Sequence, residues 1–271
     1  MGNRQSIITL LTDFGSQDYY VGAMKGAILS VNPSAQIIDI THDIPPQDIQ
    51  AGAFNLLAGY ATFPSGTIHV AVVDPGVGSQ RKPLLIECAG QLFVGPDNGI
   101  FSWVCEREAK SRAIHLENEK FFRHPVSPTF HGRDVFAPVA AALSNGVPFE
   151  EFGDSGSDYV RLESLAVKTR GDGLVEARII HIDRFGNCVT NLTRDHLSEE
   201  SFTKGAKLFI DGREILTSRR FFAEPVDPQR ELFCIFGSAG FLEIAAQDSS
   251  AGTMLAARRG QPVLLALDRG N

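Results

Sequence analysis

The 271-residue sequence has few cysteines and no apolar run long enough to span a bilayer. Its four cysteines (Cys88, Cys105, Cys188 and Cys234) are far apart and form no CxxC pair. This spacing argues against a disulfide framework and against a thiolate zinc site. We therefore expect four reduced, buried thiols and no transmembrane helix.

The sequence also lacks an excess of positive charge. Its 25 Lys and Arg residues against 32 Asp and Glu residues give a net charge of −7. A nucleic-acid-binding protein would show a clustered basic face, and an anionic membrane would not attract this chain. The N-terminal apolar segment is too short for a signal peptide and has no cleavage site. We expect a cytoplasmic protein with neither a nucleic-acid nor a membrane partner.

Sequence motifs of common cofactor and metal sites are missing. The segment TDFGSQDYYVG, which follows the first predicted strand, lacks the GxGxxG pyrophosphate fingerprint. That absence disfavours a dinucleotide-dependent dehydrogenase, and a methyltransferase would also need a Gly-rich loop here. The histidines show no HExxH or HxxxH spacing, so we expect no metal site.

The first half of the chain alternates apolar strands with helices. Strands are predicted at 6–12, 36–40, 67–73, 84–88, 92–94 and 112–116, and helices at 19–30, 47–60, 100–106 and 134–144. This alternation predicts an α/β domain with a mostly parallel sheet covered by helices.

The second half contains short apolar runs separated by turns. Strands are predicted at 174–182, 206–210, 231–236, 241–245 and 262–267, and Asp211-Gly212 indicates a hairpin. We therefore predict an N-terminal α/β domain at 1–160, a linker at 161–172, and a small all-β, barrel-like domain at 173–271.

The segment VVDPGVGSQR, residues 72–81, places an acid directly after a buried strand. Asp74 opens a Gly-rich loop, and Arg81 follows seven residues later. Proteins of the α/β class bind ligands at such strand ends. Asp-Pro-Gly is also an ordinary turn, so these residues alone leave both interpretations open.

Three further polar clusters accompany predicted elements. Asp13, in TDFG after the first strand, could bind a ribose or a metal, or cap the next helix. His131, in PTFHGRD before a helix, could be catalytic or structural. Asp183 and Asn187, in IDRFGN, could bind the charged groups of an amino acid or form an Asx turn.

Taken together, these segments resemble one known family. Seven motifs occur in that family's order: TDFG, HDIPPQD, VDPGVGSQR, GPDNG, PTFHGRD, IDRFGN and GSAGFLEIA. The family is that of the S-adenosylmethionine (SAM) hydrolases, or SAM hydroxide adenosyltransferases, which are relatives of the bacterial fluorinase and chlorinase. The resemblance extends from Ile8 to about Leu255.

The resemblance implies hydrolysis of SAM to adenosine and L-methionine by SN2 attack of water or hydroxide at C5′. It assigns the water-activating set to Asp74, Arg81 and His131, with either Asp74 or His131 as the base. SAM is then the substrate, and neither a further cofactor nor a metal is implied.

The resemblance also implies where SAM binds. Asp13 would hold the ribose hydroxyls, while Asp183 and Asn187 would take the methionine end and the adenine edge. The other residues assigned to substrate binding are Gln47, Phe185, Phe236, Ser238 and Phe241. Phe236 and Phe241 could equally pack in the core. The family's homotrimeric assembly, with SAM at the subunit interface, is expected here too.

Two other functions remain as alternatives. A SAM-dependent halogenase of this superfamily has a Tyr in place of Asp74, lacks the Arg and His partners, and has a Trp in the segment where this chain has Gln47. A carboxylate at Asp74 would repel a halide strongly in a dry site. A non-catalytic SAM- or adenosine-binding protein would keep Asp13 and Asp183 without needing the water-activating set. The hydrolase is therefore the preferred prediction.

Overall fold

The computed structural model describes residues 6–108, 110–154, 156, 158–215, 217–224 and 231–267. The chain divides into two compact units, Met1–Ser164 and Leu165–Asn271. Each unit is described by itself below.

The first unit contains six strands and four α-helices among its described residues. The strands are β1 (Ile7–Thr12), β2 (Gln36–Thr41), β3 (Ile68–Val72), β4 (Pro83–Cys88), β5 (Gln91–Pro96) and β6 (Ser111–His115). The helices are α1 (Tyr20–Val31), α2 (Ile49–Gly59), α3 (Ser102–Arg107) and α4 (Ala137–Ser144), and a π-helical turn, Gly132–Phe136, leads directly into α4.

The sheet of the first unit is mixed, with strand order β2-β1-β3-β5-β4-β6. Strand β1 pairs in parallel with β2 and β3, and β3 pairs in parallel with β5. Strand β4 is antiparallel to both β5 and β6, so it alone of these six strands runs against the others. The α/β prediction is confirmed, and the reversal of β4 arises from the tight turn at Ala89-Gly90, where both residues have positive φ.

Burial on both faces explains the apolar strands at the centre of this sheet. All five residues of β3 are buried, as are Ile8 and Leu10 of β1. Ile8, Leu10 and the alternate β3 residues Ile68, Val70 and Val72 join a core that includes the buried residues of α1 and α4. Because β1 and β3 are neighbouring parallel strands, the residues that follow them, Asp13 and Asp74, lie at the same edge of the sheet.

The second unit is built from antiparallel strands, which confirms the prediction of a small β domain. Its strands are β7 (Lys168–Thr169), β8 (Val175–Ile182), β9 (Cys188–Thr193), β10 (Lys207–Ile210), β11 (Arg213–Ile215), β12 (Leu232–Phe236), β13 (Phe241–Ala246) and β14 (Pro262–Ala266). The order is β11-β10-β14-β8-β9-β13-β12, with β7 paired to β8. Two short helices accompany them, α5 (Glu199–Thr203) and α6 (Ala251–Met254).

Strand β9 was not predicted from the sequence. Its residues, CVTNLT, include an Asn and two Thr, which interrupt the apolar pattern of a buried strand. The structure accommodates Asn191 at 2% exposure because its side chain accepts a hydrogen bond from the Arg178 backbone and donates one to the Leu165 carbonyl.

The four cysteines are buried free thiols, as predicted. Among the described residues, no helix combines the length and the apolar character needed to cross a bilayer.

Candidate active site

Asp74 and Arg81 form a buried ion pair at the carboxyl end of β3. Their side chains are 5% and 10% exposed. Arg81 donates from Nε to Asp74 Oδ1 at 2.9 Å and from Nη2 to Asp74 Oδ2. Consecutive turns, in which Val77 donates to the Asp74 carbonyl and Ser79 to the Gly76 carbonyl, return the chain so that this pairing forms. The segment is therefore a turn, and the turn aligns the two charged groups.

His131 completes the cluster through a hydrogen bond with Arg81. The distance from Arg81 Nη2 to His131 Nδ1 is 2.8 Å. A guanidinium can only donate, so Nδ1 must be the accepting nitrogen and carries no proton. Burial, together with the positive charge of Arg81, lowers the pKa of His131. At neutral pH the imidazole is therefore uncharged, with its proton on Nε2.

One donor of Arg81 is left over. Its Nη1 is buried and has no hydrogen-bond partner within the described residues. Nearly all buried polar groups in proteins are paired, so an orphaned guanidinium nitrogen indicates a site for an acceptor. The guanidinium carbon also lies 5.4 Å from the centroid of the Phe136 ring. The cluster thus contains a buried hydrogen-bond donor that has no acceptor among the described residues.

Asp134 anchors the loop that carries His131. It is 0% exposed and accepts hydrogen bonds from Arg123, from both Nε and Nη2 of Arg133, and from the Ser127 backbone. Burial alone would raise the pKa of Asp134, but these bonds outweigh it, and the pKa is lowered. Asp134 is the last residue of PTFHGRD, and the sequence analysis gave it no role.

Asp13 and Gln47 are in contact, and the contact is made by the backbone N–H of Gln47 and not by its side chain. The Gln47 N–H donates to Asp13 Oδ2 at 2.8 Å, and Gln47 has a φ of 67°, which is unusual for a residue other than glycine. The preceding Thr12 bonds His42 Nδ1 at 2.8 Å and accepts from the Phe14 backbone at 3.2 Å. The loop after β1 is therefore held on both sides of Asp13.

In the second unit, the segment IDRFGN closes the turn between β8 and β9 as an Asx turn. Asp183 Oδ1 accepts from the backbone N–H groups of Phe185 (2.9 Å) and Asn187 (2.8 Å), and Oδ2 accepts from Asn187 Nδ2 at 2.9 Å. This arrangement leaves the Phe185 side chain 79% exposed while Asn187 is 7% exposed. The turn therefore presents an aromatic ring beside a buried amide.

A cavity of about 520 Å³ adjoins this turn. It is lined by Phe185, Asn187, Phe222, Ala246, Asp248 and Ser249. Two exposed aromatic rings, a carboxamide and a carboxylate are suited to a flat heterocycle with polar edges. The sequence analysis missed Phe222 and Asp248, because both lie far along the chain from IDRFGN and outside the quoted motifs.

Comparison with known proteins agrees with this two-part arrangement. The N-terminal domain profile of the SAM hydroxide adenosyltransferases matches residues 8–153, and the C-terminal domain profile matches residues 177–264. The chain belongs to the SAM hydroxide adenosyltransferase family.

Three individual proteins illustrate the relationship to this family. A curated relative from Methanocaldococcus jannaschii, named (R)-S-adenosyl-L-methionine hydrolase, is 40% identical over 258 residues, covering 92% of this chain and 91% of its own. The solved structure of a conserved protein from Thermotoga maritima is 35% identical, with a TM-score of 0.86 and coverage of 96% and 99%. A fluorinase from Actinoplanes sp. is more distant, at 28% identity, covering 78% of this chain and 80% of the fluorinase.

Three family-motif residues lie away from the cavity lining. Phe241 is 3% exposed, the ring of Phe236 lies 4.2 Å beneath the Arg194 guanidinium, and Ser238 is exposed in the turn between β12 and β13. The cavity beside Asn187 instead takes its aromatic wall from Phe185 and Phe222.

Glu243 places a second carboxyl group near Asp183. A Cβ atom on Gly237 would lie 1.7 Å from Glu243 Oε1, so the Glu243 side chain occupies the space that this glycine leaves open. Burial raises the pKa of Glu243 to about 7, and the charge of Asp183 contributes to the rise. Among the residues that the structure describes, His, Cys, Asp and Glu side chains form no group of three or more suited to a metal ion.

Proposed function

We propose that this protein hydrolyses SAM to adenosine and L-methionine. The observation that carries the proposal is the buried Asp74–Arg81–His131 cluster with its one unpaired donor, Arg81 Nη1. The M. jannaschii relative, whose name states this activity, supports it. A purely structural ion pair would have no need of a buried donor that lacks an acceptor.

The reaction is an SN2 displacement in which the oxygen of water bonds to C5′ as the C5′–S bond breaks. The electron pair of that bond goes to the sulfonium sulfur, so that methionine leaves as a neutral thioether. One proton leaves the attacking water. The enzyme must chiefly align the water opposite the sulfur and exclude competing water.

We assign the proton acceptor to Asp74. His131 cannot serve through Nδ1, because that lone pair accepts from Arg81, and its Nε2 carries the proton. Arg81 Nη1 and His131 Nε2–H would then donate to the attacking oxygen, while Arg81 orients the Asp74 carboxylate through two hydrogen bonds. The geometry thus favours a donor role for His131.

Substrate binding is divided between two sets of residues. Asp13, fixed by the Gln47 backbone, would accept from the ribose hydroxyls. The cavity of Phe185, Phe222 and Asn187 would hold the adenine ring. From the family resemblance we further propose a cytoplasmic homotrimer with SAM at the subunit interface, no metal, and no cofactor besides the substrate. Sedimentation analysis tests the trimer.

Incubation of the purified protein with SAM, followed by chromatography, tests the proposed reaction. Adenosine and methionine in equal amounts are expected. S-Adenosylhomocysteine would indicate methyl transfer, and unchanged SAM with measurable binding would indicate a non-catalytic binding protein. A 5′-halogenated adenosine formed in the presence of chloride or fluoride would indicate a halogenase, whose halide Asp74 should repel.

A further inference from the structure

Arg219, in the segment between β11 and β12, is a buried cation whose side-chain hydrogen bonds within the described residues go to neutral groups, while its charge adds to that of Arg220 in acting on the Glu224 carboxylate. Arg219 is 2% exposed and forms no salt bridge within the described residues. Removing a charge from water is costly unless the charge is paired and hydrogen-bonded. A well-packed apolar side chain of similar volume would fill this position at a lower cost, so the retained arginine calls for a specific role.

The contacts of Arg219 connect different parts of the second unit. Its Nη1 donates to the Phe222 carbonyl at 2.9 Å and to Gln247 Oε1 at 2.6 Å. Its guanidinium carbon lies 3.8 Å from the centroid of the Phe233 ring, and its Nε is buried with no partner among the described residues. Stacking on Phe233 fixes the plane of the guanidinium, which in turn fixes the direction of Nη1.

One hydrogen-bond partner of Arg219, Phe222, lines the cavity described above, and the other, Gln247, is the sequence neighbour of two lining residues. Phe222 lines one wall directly. Gln247 lies between the lining residues Ala246 and Asp248, and its Nε2 donates to Asp248 Oδ2 at 3.0 Å. Asp248 has a φ of 46°, an uncommon conformation that the surrounding contacts must hold. Arg219 Nη1 therefore connects the backbone of Phe222, on the aromatic side of the cavity, to Asp248, on its polar side, through Gln247.

We propose that Arg219 is a positioning residue that holds the Phe222 and Asp248 walls at a separation suited to a purine ring. Phe222 is 51% exposed, and its ring contacts Phe233, the ring on which Arg219 stacks, with 6.1 Å between the ring centroids. If the lining residues are already ordered before binding, less conformational entropy is lost when the ligand enters, and the affinity for the ligand is higher. The inference rests on the proposed function for the identity of the ligand, and it concerns binding rather than the chemical step.

Three variants of the full-length protein test this role. Arg219→Met removes both bonds, Gln247→Met removes only the connection to Asp248, and Arg219→Lys retains an ammonium that can donate to both acceptors. The control is Arg220→Met, since Arg220 is an exposed neighbour paired with Glu224. The measurements are the Kd of adenosine by calorimetry, kcat and KM for SAM, and Tm.

Both methionine variants should raise the adenosine Kd and the KM for SAM about 10-fold, as expected for a lost hydrogen bond to a charged group. Because the reacting groups are untouched, kcat should change less than twofold. Arg219→Lys should recover most of the affinity, and Arg220→Met should match the wild type. If Arg219→Met does not fold, Gln247→Met still tests the connection.

A lower Tm with an unchanged adenosine Kd in the methionine variants would overturn the inference, because a merely structural arginine behaves in that way. Failure of the proposed function gives a different result: the wild type would release no adenosine from SAM, yet the variants would still weaken adenosine binding. A wild-type protein that binds no adenosine would overturn the role assigned to Arg219.

Discussion

Gly78 lies against the carbonyl oxygen of Pro128, and a Cβ atom at Gly78 would lie 2.3 Å from that oxygen. The φ of Gly78 is +76°, a conformation that side chains rarely adopt. This contact joins the loop that carries Asp74 and Arg81 to the loop that carries His131. Close backbone approach at one glycine thus brings the three polar residues within hydrogen-bond reach.

Gly78→Ala should separate these two loops. We expect kcat for SAM hydrolysis to fall about 100-fold, the loss typical of a displacement of about 1 Å at a catalytic group. Gly22→Ala is the control, because Gly22 has no positive φ and a Cβ atom there would meet nothing within 4 Å. Steady-state kinetics on both variants check the expectation, and equal losses in the two would contradict it.

Asp74→Asn should remove the proton acceptor while keeping its shape. A positioned base contributes about 10²–10⁴-fold, so kcat should fall by that order. Adenosine release from SAM measures the change. Asp43→Asn, at an exposed position, is the control and should retain the wild-type rate. Full activity in Asp74→Asn would rule out the assignment.

The activity should depend on the neutral form of His131. Protonation would put a proton on Nδ1, which faces the donating Nη2 of Arg81, and would break that hydrogen bond. Because the pKa of His131 is lowered from 6.5, the acidic limb of kcat/KM should lie below pH 6.5.

Variants of His131 separate its donor role from a basic one. A glutamine amide can donate where Nε2–H does, so His131→Gln should retain more activity than His131→Ala. Rates measured at several pH values test both expectations. An acidic limb above pH 6.5, or equal losses in the two variants, would argue against the donor role.

Glu243 should make the folded state less stable as the pH rises. Its pKa is raised from 4.5 to about 7, so between these values the folded protein keeps a proton that the unfolded chain has lost. Stability therefore decreases from about pH 4.5 to pH 7 and levels off above. Glu243→Gln should raise Tm relative to the wild type at pH 8 but not at pH 4.5. A Tm difference that does not change with pH would contradict this.

Local sequence patterns predicted most helices and strands, because apolar residues recur with the period of the element or because turn residues mark its end. The α/β alternation and the Asp211-Gly212 hairpin are of this kind. Strand β9 was missed because Asn191 is buried through hydrogen bonds that no local pattern reveals. The reversed direction of β4 depends on the two-residue turn at Ala89-Gly90, whose conformation the sequence analysis did not interpret.

The candidate site shows a similar division. The motif order alone identified Asp74, Arg81 and His131, and the structure brings them together. The motif order did not identify Phe222, Asp248 or Arg219, since these residues lie outside the motifs. Phe222 and Asp248 line the same cavity as Asn187 only after the β-strands pair. Aromatic rings at a cavity cannot be told from core rings by sequence spacing.

The sequence by itself determined the family, the two kinds of domain, and the three polar residues of the cluster, because these follow from local periodicity and from the order of short motifs. Only the tertiary structure decided what each polar group can do. His131 lies 50 residues from Arg81 in the chain. Whether its Nδ1 accepts a hydrogen bond depends on the backbone approach at Gly78 and Pro128. That contact leaves the imidazole proton on Nε2, and Arg81 Nη1 stays without an acceptor among the described residues.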